Sequence, residues 1–191
     1  IIGTLAHSET ITAPTEKNLN CKLENGQLTG IKIAVTDGDI ADFAIVSIKE
    51  EERIKLCIAD LNSSNIEIES QNTLDPSRSH ASINFKNTKV ETLSSNDNGW
   101  EDLQKILDRA AVLYAFEQLG GAEACMNMAK EYAMGRFAFG RPIASFQAIK
   151  HKIADMYIAV ELARSNCYFG AWALSTDAPE LTTAAATARI S

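Results

Sequence analysis

"YAMGRFAFGRPIASFQAIKHKIADM", residues 132–156, is the stretch at which one helical pattern stops and a second begins. Gly140 and Pro142 cannot continue a helix, so the chain must turn there. Upstream, Leu103, Ile106, Leu107, Ala110, Ala111, Leu113, Tyr114, Phe116 and Leu119 form a broad apolar stripe, and Ala122, Met126, Ala129 and Ala133 carry it towards Arg136. Unbroken, residues 100–136 would extend about 55 Å at 1.5 Å per residue. Asp97 or Asn98 is placed to cap its start, and Gly120-Gly121 is expected to permit close approach by another element. Downstream, Ile149, Ile153, Met156, Tyr157, Val160, Ala163, Cys167 and Ala171 mark a second helix from about Ser145 to Leu174. A third opens near Asp177-Ala178-Pro179-Glu180 and runs to Ser191. Long helices joined by a short corner form an antiparallel bundle, here an incomplete one.

Residues 1–98 follow another period. "GIKIAV" (30–35), "DFAIVSI" (42–48), "IKLCIADL" (54–61), "NIEIES" (65–70) and "ASINFK" (81–86) are short and rich in β-branched residues. The last two alternate polar and apolar, the mark of strands with one buried face. Asn25-Gly26, Asp37-Gly38-Asp39, Asn62-Ser63-Ser64 and Asp75-Pro76-Ser77 supply turns between them. The expected fold is therefore α+β: an antiparallel β-barrel or sandwich over 1–98, then the truncated helical domain over 99–191. The boundary at 94–99, "SSNDNG", is short, so the halves are expected to dock rather than to be tethered.

Composition excludes several functions. The chain has 191 residues, 46% apolar and 23% charged, with a formal charge of −7. That balance does not suit a nucleic-acid binder, which needs a basic face. Cys21, Cys57, Cys125 and Cys167 are far apart, which reads as reduced thiols in the cytoplasm. His7, His80 and His151 lack ligand spacing, so no metal is expected. No apolar run reaches the ~18 residues of a membrane span, and no signal peptide is visible at the start. The opening Ile1-Ile2 and a finish inside a helical pattern lead to the expectation of a piece of a longer protein.

The corner carries more chemistry than a turn requires. Arg136 ends the long helix with a planar fork of donors suited to a phosphate or diphosphate. Phe139 offers a flat face to an aromatic base. Gln147, opening the next helix, can pair with the edge of a ring such as adenine, and the N–H groups of that helix start favour an anion. The three together could hold the ADP half of a dinucleotide. The same residues also suit an ordinary helix corner, with Phe139 in the core and Arg136 and Gln147 solvated.

The stretch resembles the signature of the acyl-CoA dehydrogenase family, matched at Tyr132, Arg136, Phe139, Gly140, Pro142, Ile143, Gln147, Ala154, Asp155 and Met156. Similarity continues through "LDRAAVLYAFEQLGGA" and "VELARSNCYFGAWAL". It extends to "GTLAHSE", "GIKIAVTDGDIADFAIV" and "DPSRSHASINFKNTKV" in the β half. The resemblance implies an FAD-dependent enzyme that introduces a double bond between Cα and Cβ of an acyl-CoA and passes electrons to an electron-transfer flavoprotein. It implies a homo- or hetero-oligomer with FAD at the subunit interface. Arg136 would then contact the diphosphate of a neighbour's FAD, with Phe139, Phe146 and Gln147 about its adenine end. It also implies that Ser8 hydrogen-bonds the flavin pyrimidine, that Thr36 sits near flavin N5, and that Asp108 and Arg109 lie where substrate or CoA is contacted. The helix style is similar to bacterial members acting on branched, aromatic or steroid-derived CoA esters.

Three departures stand against the pattern. "ETITAPTEKN", after Ser8, has no glycine where the family has a glycine-rich run. Ala34 replaces a tryptophan that shields the flavin. Ala110 stands where some members carry the glutamate base, and Asp108 and Asp102 face elsewhere on the helix. These departures also suit an alternative: a non-catalytic subunit that donates the adenine and diphosphate half-site to a sister chain.

Overall fold

A computed structural model describes residues 1–93 and 98–191, in two compact units, Ile1–Gln104 and Lys105–Ser191. Asp97, one of the two expected caps, and most of the 94–99 boundary lie outside the described residues.

The first unit holds eight strands: β1 (Gly3–Ala6), β2 (Lys22–Glu24), β3 (Gln27–Thr36), β4 (Phe43–Glu50), β5 (Arg53–Asp60), β6 (Ile66–Gln71), β7 (His80–Lys89) and β8 (Glu91–Thr92). They make one sheet in the order β6-β7-β3-β2-β4-β5-β8. The α+β class expected from the sequence holds. The sheet is not a closed barrel among the described residues, and it is not wholly antiparallel. β1 runs parallel to β4, pairing Gly3 with Phe43 through Ala6 with Val46, and β2 meets the same strand in parallel at Lys49. The other ladders are antiparallel. β6 departs from the expected one-sided burial: it is an edge strand with Ile66 half-buried and Ile68 exposed.

The core of this unit is built from alternating inward residues, among them Leu28, Val35, Val46, Ile48, Ile83 and Phe85. β3 is irregular at Leu28/Gly30 and at Lys32/Val35. Gly30 has φ +143°, and a Cβ there would come within 2.5 Å of the Cys21 sulfur. Only glycine lets β3 pass so close to the Cys21 backbone. At the second irregularity Ala34 sits in the left-handed region, φ 52°.

The helices are α1 (Gly99–Gly135), α2 (Gln147–Ser175) and α3 (Leu181–Ile190), within two residues of the ranges read from periodicity apart from the start of α3. Asn98 precedes α1; its carbonyl accepts the Asp102 N–H at 3.3 Å, and its side-chain amide reaches Glu101. In the second unit Ala115, Leu119, Met126, Val160, Cys167 and Ala188 form the core. Arg164 bridges Glu161 on α2 and Glu123 on α1, at 3.3 and 3.0 Å. The apolar stripes are only partly buried. Leu113 and Tyr114 on α1 are exposed, as are Ile158, Leu162, Phe169 and Trp172 on α2, the last two stacked at 5.7 Å. Among the described residues, nothing beyond the helix's own neighbouring backbone lies within 4 Å of a Cβ added at Gly120 or Gly121. Close approach occurs instead at Gly170, where such a Cβ would stand 3.3 Å from both Val112 and Ala188. Among the described residues no helix is long and apolar enough to cross a membrane.

Candidate functional site

The corner between α1 and α2 is a minimal hairpin. β9 (Phe137–Ala138) pairs with β10 (Arg141–Pro142), and the Ile143 N–H donates to the Arg136 carbonyl at 2.8 Å. The two turn residues, Phe139 and Gly140, have φ 53° and 79°. Two successive left-handed residues mark a tight hairpin turn that favours Asn-Gly. A phenylalanine in the first place costs roughly 1–2 kcal/mol of backbone strain. Burial does not offset it, because Phe139 is 95% exposed. Packing within the chain does not account for an aromatic ring held out by a strained backbone.

The neighbouring groups fit an anionic, aromatic ligand. Arg136 is exposed and, among the described residues, holds no ion-pair partner. Phe146 precedes α2, with its ring edge-on to Phe139 at 6.3 Å and the Arg141 guanidinium 4.2 Å above its centroid. Gln147 is exposed on the first position of α2. No side chain caps that helix and no acid lies in its first turn, while the Ser145 hydroxyl is spent on the Pro142 carbonyl at 2.7 Å. The Ile149 and Lys150 N–H groups both donate to the Phe146 carbonyl, at 3.0 and 3.1 Å, so only the N–H groups of Gln147 and Ala148 at the α2 start could meet an anion. The structure thus mounts Arg136, Phe139, Phe146 and Gln147 on one hairpin and the helix start behind it. The alternative of a core Phe139 is corrected: the ring is in solvent. The sequence reading missed Arg141, whose place above Phe146 has no spacing signal.

In the β unit, Ser8 lies against β3 at Ile33, three residues before Thr36, the last residue of that strand. The Thr4 hydroxyl donates to the Thr36 carbonyl at 2.6 Å, and the Ile33 N–H donates to the Ser8 carbonyl at 2.8 Å. β1 and its continuation are thereby strapped across β3. The Thr36 hydroxyl lies 3.4 Å from His80 Nε2, a second residue the sequence did not single out. His80 Nδ1 and His7 Nδ1 are buried without a hydrogen-bond partner. Burial, and then the Lys32 ammonium, hold the His7 pKa below its ordinary value against the raising effect of a backbone hydrogen bond at Leu5. Arg78 is paired with Asp37.

Next to the Ser8–Ile33 contact lies a buried ion pair. Lys32, fully buried, donates to Glu9 at 2.7 Å and to the Ser47 hydroxyl at 3.2 Å. Glu9 also accepts the Asn20 and Cys21 N–H groups at 2.5 and 3.1 Å. Burial pulls the Glu9 carboxyl upward, but Lys32 and these two amides outweigh it, and its pKa falls below the ordinary value. One signal could have found the pair: Lys32 shares the inward phase of β3 with Leu28, and a charge there demands a counter-charge.

On α1, Asp108 accepts the Thr182 hydroxyl of α3 at 2.7 Å, while Arg109 is exposed. Asp108 has a structural partner that the sequence reading did not foresee. Ala110 is half-buried and brings no proton acceptor.

The family model described as the acyl-CoA dehydrogenase C-terminal domain matches residues 97–191. Over 93 residues the chain is 43% identical to the acyl-CoA dehydrogenase IpdE2 of Mycobacterium tuberculosis, covering 49% of this chain and 26% of that protein. It is 31% identical over 160 residues to an acyl-CoA dehydrogenase of Bacillus subtilis, covering 78% and 42% respectively. The solved structure of butyryl-CoA dehydrogenase from Megasphaera elsdenii is similar with a TM-score of 0.88 and 26% identity, over 97% of this chain and 52% of that one. The chain spans about half the length, or less, of these three relatives.

Proposed function

The chain belongs to the acyl-CoA dehydrogenase family, and on that premise we propose that it carries the flavin-holding part of an FAD-dependent enzyme that dehydrogenates an acyl-CoA between Cα and Cβ. The observation that carries this reading is the strained, fully presented Phe139 between an exposed Arg136 and an uncapped helix start at Gln147. That donor set fits a dinucleotide. Arg136 pairs with the diphosphate, Phe139 and Phe146 present ring faces and edges to the adenine, and Gln147 reads its rim. Ser8 and Thr36 offer hydroxyls to the flavin ring, and the half-buried Ser8 hydroxyl has no partner among the described residues. When bound, FAD supplies the acceptor for the hydride that leaves Cβ. Arg109 is the exposed cation left for the acyl-CoA, beside Asp108. The acceptor for the Cα proton is not assigned to a residue of this chain, since Ala110 cannot take one.

The reading divides the chain into a β-domain, 1–98, and a helical domain, 99–191. It assigns the corner to the FAD of an adjacent subunit in a homo- or hetero-oligomer. The exposed apolar face of α2, with Ile158, Leu162, Phe169 and Trp172, suits such association. Electrons leave to an electron-transfer flavoprotein. The unpaired thiols of Cys21, Cys57, Cys125 and Cys167 suit the cytoplasm.

A second reading, a non-catalytic subunit that donates the corner to a sister chain, is favoured by Ala34, Ala110 and the glycine-free segment after Ser8. FAD titration of the purified protein tests the site itself. Arg136→Ala should weaken binding roughly 10- to 150-fold, the equivalent of a charge-assisted hydrogen bond of about 1.5–3 kcal/mol. An unchanged affinity refutes the corner as the nucleotide site. Bleaching of the flavin by an acyl-CoA without any partner chain refutes the second reading.

A further inference from the structure

The Ser8–Ile33 contact adjoins a buried charge that the proposed chemistry does not use. Lys32 is the largest side chain fully buried among the described residues. An ammonium in such a place persists only if its charge and its donors are met. Glu9 meets the charge and Ser47 takes a second hydrogen bond. The Glu9 carboxylate is in turn filled by Lys32 and by the Asn20 and Cys21 N–H groups. One side chain therefore closes the neck of the segment from Thr10 to Leu19, a compact loop with nearby ends. That segment has neither a glycine nor a residue of positive φ; Asn18 holds its interior through Thr15 and Ala13, and Glu9 ties its two ends.

The pair acts in register with the backbone. Ile33 N–H holds the Ser8 carbonyl, and the residue before Ile33, Lys32, holds the residue after Ser8, Glu9. Two consecutive residues on one segment are thus clasped by two consecutive residues of β3. Stability alone does not call for this arrangement, because apolar side chains of similar volume serve a core as well or better than an ion pair. The nearby thiols offer no alternative chemistry: burial pushes Cys21 and Cys57 up to about 12, with opposing help from Lys32.

We propose that Lys32 and Glu9 are positioning residues for the flavin. They lock the register of Ser8–Glu9 on β3, and through it fix Ser8 at Ile33, three residues before Thr36. The assignment rests on the flavin reading above and goes beyond it, since neither side chain touches the cofactor.

The test is a double-mutant cycle between Ser8 and Lys32 in the purified holoprotein, read as FAD affinity and as the position of the visible flavin band at saturation. Ser8→Ala should weaken FAD binding about tenfold or more and shift the band, and Lys32→Met should weaken it and shift the band by no more than that. If Lys32 acts through Ser8, the double variant binds FAD within about twofold of Ser8→Ala alone. Glu9→Gln keeps the shape of the side chain and an acceptor for one of the two backbone amides, and it carries the same cycle should Lys32→Met fail to fold. Multiplying effects, or an unmoved affinity and band in Lys32→Met, overturn the positioning role while leaving the flavin reading intact. A wild-type protein that takes up no FAD overturns the flavin reading, and this assignment with it.

Discussion

Replacing Phe139 separates what the corner costs from what it does. In Phe139→Gly the left-handed strain, roughly 1–2 kcal/mol, is relieved. Against this stand the lost edge-on contact with Phe146, about 0.5–1.5 kcal/mol, and the added freedom of the unfolded glycine, about 0.5–1 kcal/mol. With the ring 95% exposed, little burial is lost. The terms nearly cancel, so the urea stability of the apoprotein should change by no more than about 1.5 kcal/mol. FAD affinity should behave differently. A base stacked on an aromatic ring is worth about 1–3 kcal/mol, so titration should find binding weakened roughly 5- to 150-fold. Phe139→Ala removes the same ring and keeps the backbone strain; it should match the glycine variant in affinity and be the less stable of the two. A loss of stability well beyond 2 kcal/mol with unchanged FAD binding would refute the reasoning, because it would make the ring part of the fold.

Two further outcomes follow from the β unit. His7 and Glu9 both have pKa values below their unfolded ones, so the unfolded chain binds more protons and stability falls on acidification. His7's contribution is complete above about pH 6.5 and fades below it, and Glu9's fades below the ordinary carboxylate range. Urea midpoints taken from pH 7.5 to 4 should decline throughout, and a midpoint that rises over that interval contradicts the assignment. Gly30→Ala combines a positive φ with a Cβ 2.9 Å from the Cys21 Cα, which no rotamer of Cys21 can avoid. The expected loss is about 2–5 kcal/mol by denaturant titration, and Cys21→Ala in the same chain should not restore it.

The helical half was legible because its order is local. Leu103, Leu119 and Met126 recur at spacings that one helix can bury, and Gly140 and Pro142 mark where the chain must turn. The stripe ran wider than the core, since apolar periodicity does not tell Val112, which is buried, from Leu113, which is not. The β half was legible strand by strand but not in its pairing. β1 joins β4 forty residues away and in parallel, a choice made by packing that no short pattern encodes. In the site, Arg136, Phe139 and Gln147 could be named from chemistry crowded at a helix break. Ser8 and Thr36 could not, since hydroxyls at strand ends are common, and they came from resemblance. The inward phase of Lys32 demanded a counter-charge, but which residue supplies it, and the meeting of Thr36 with His80, were out of reach for another reason: these partners are 23 and 44 positions apart, respectively, and meet only in the folded sheet.

The parallel pairing of β1 with β4 orders events during synthesis. Gly3–Ala6 has no ladder partner until Phe43–Val46 has left the ribosome, and Thr36 has no imidazole beside it until His80 has been made. Long-range strand pairing closes late. The Thr36–His80 contact is therefore made after most of the β unit has emerged, and any cofactor gripped there is captured by a nearly finished sheet rather than by the growing chain.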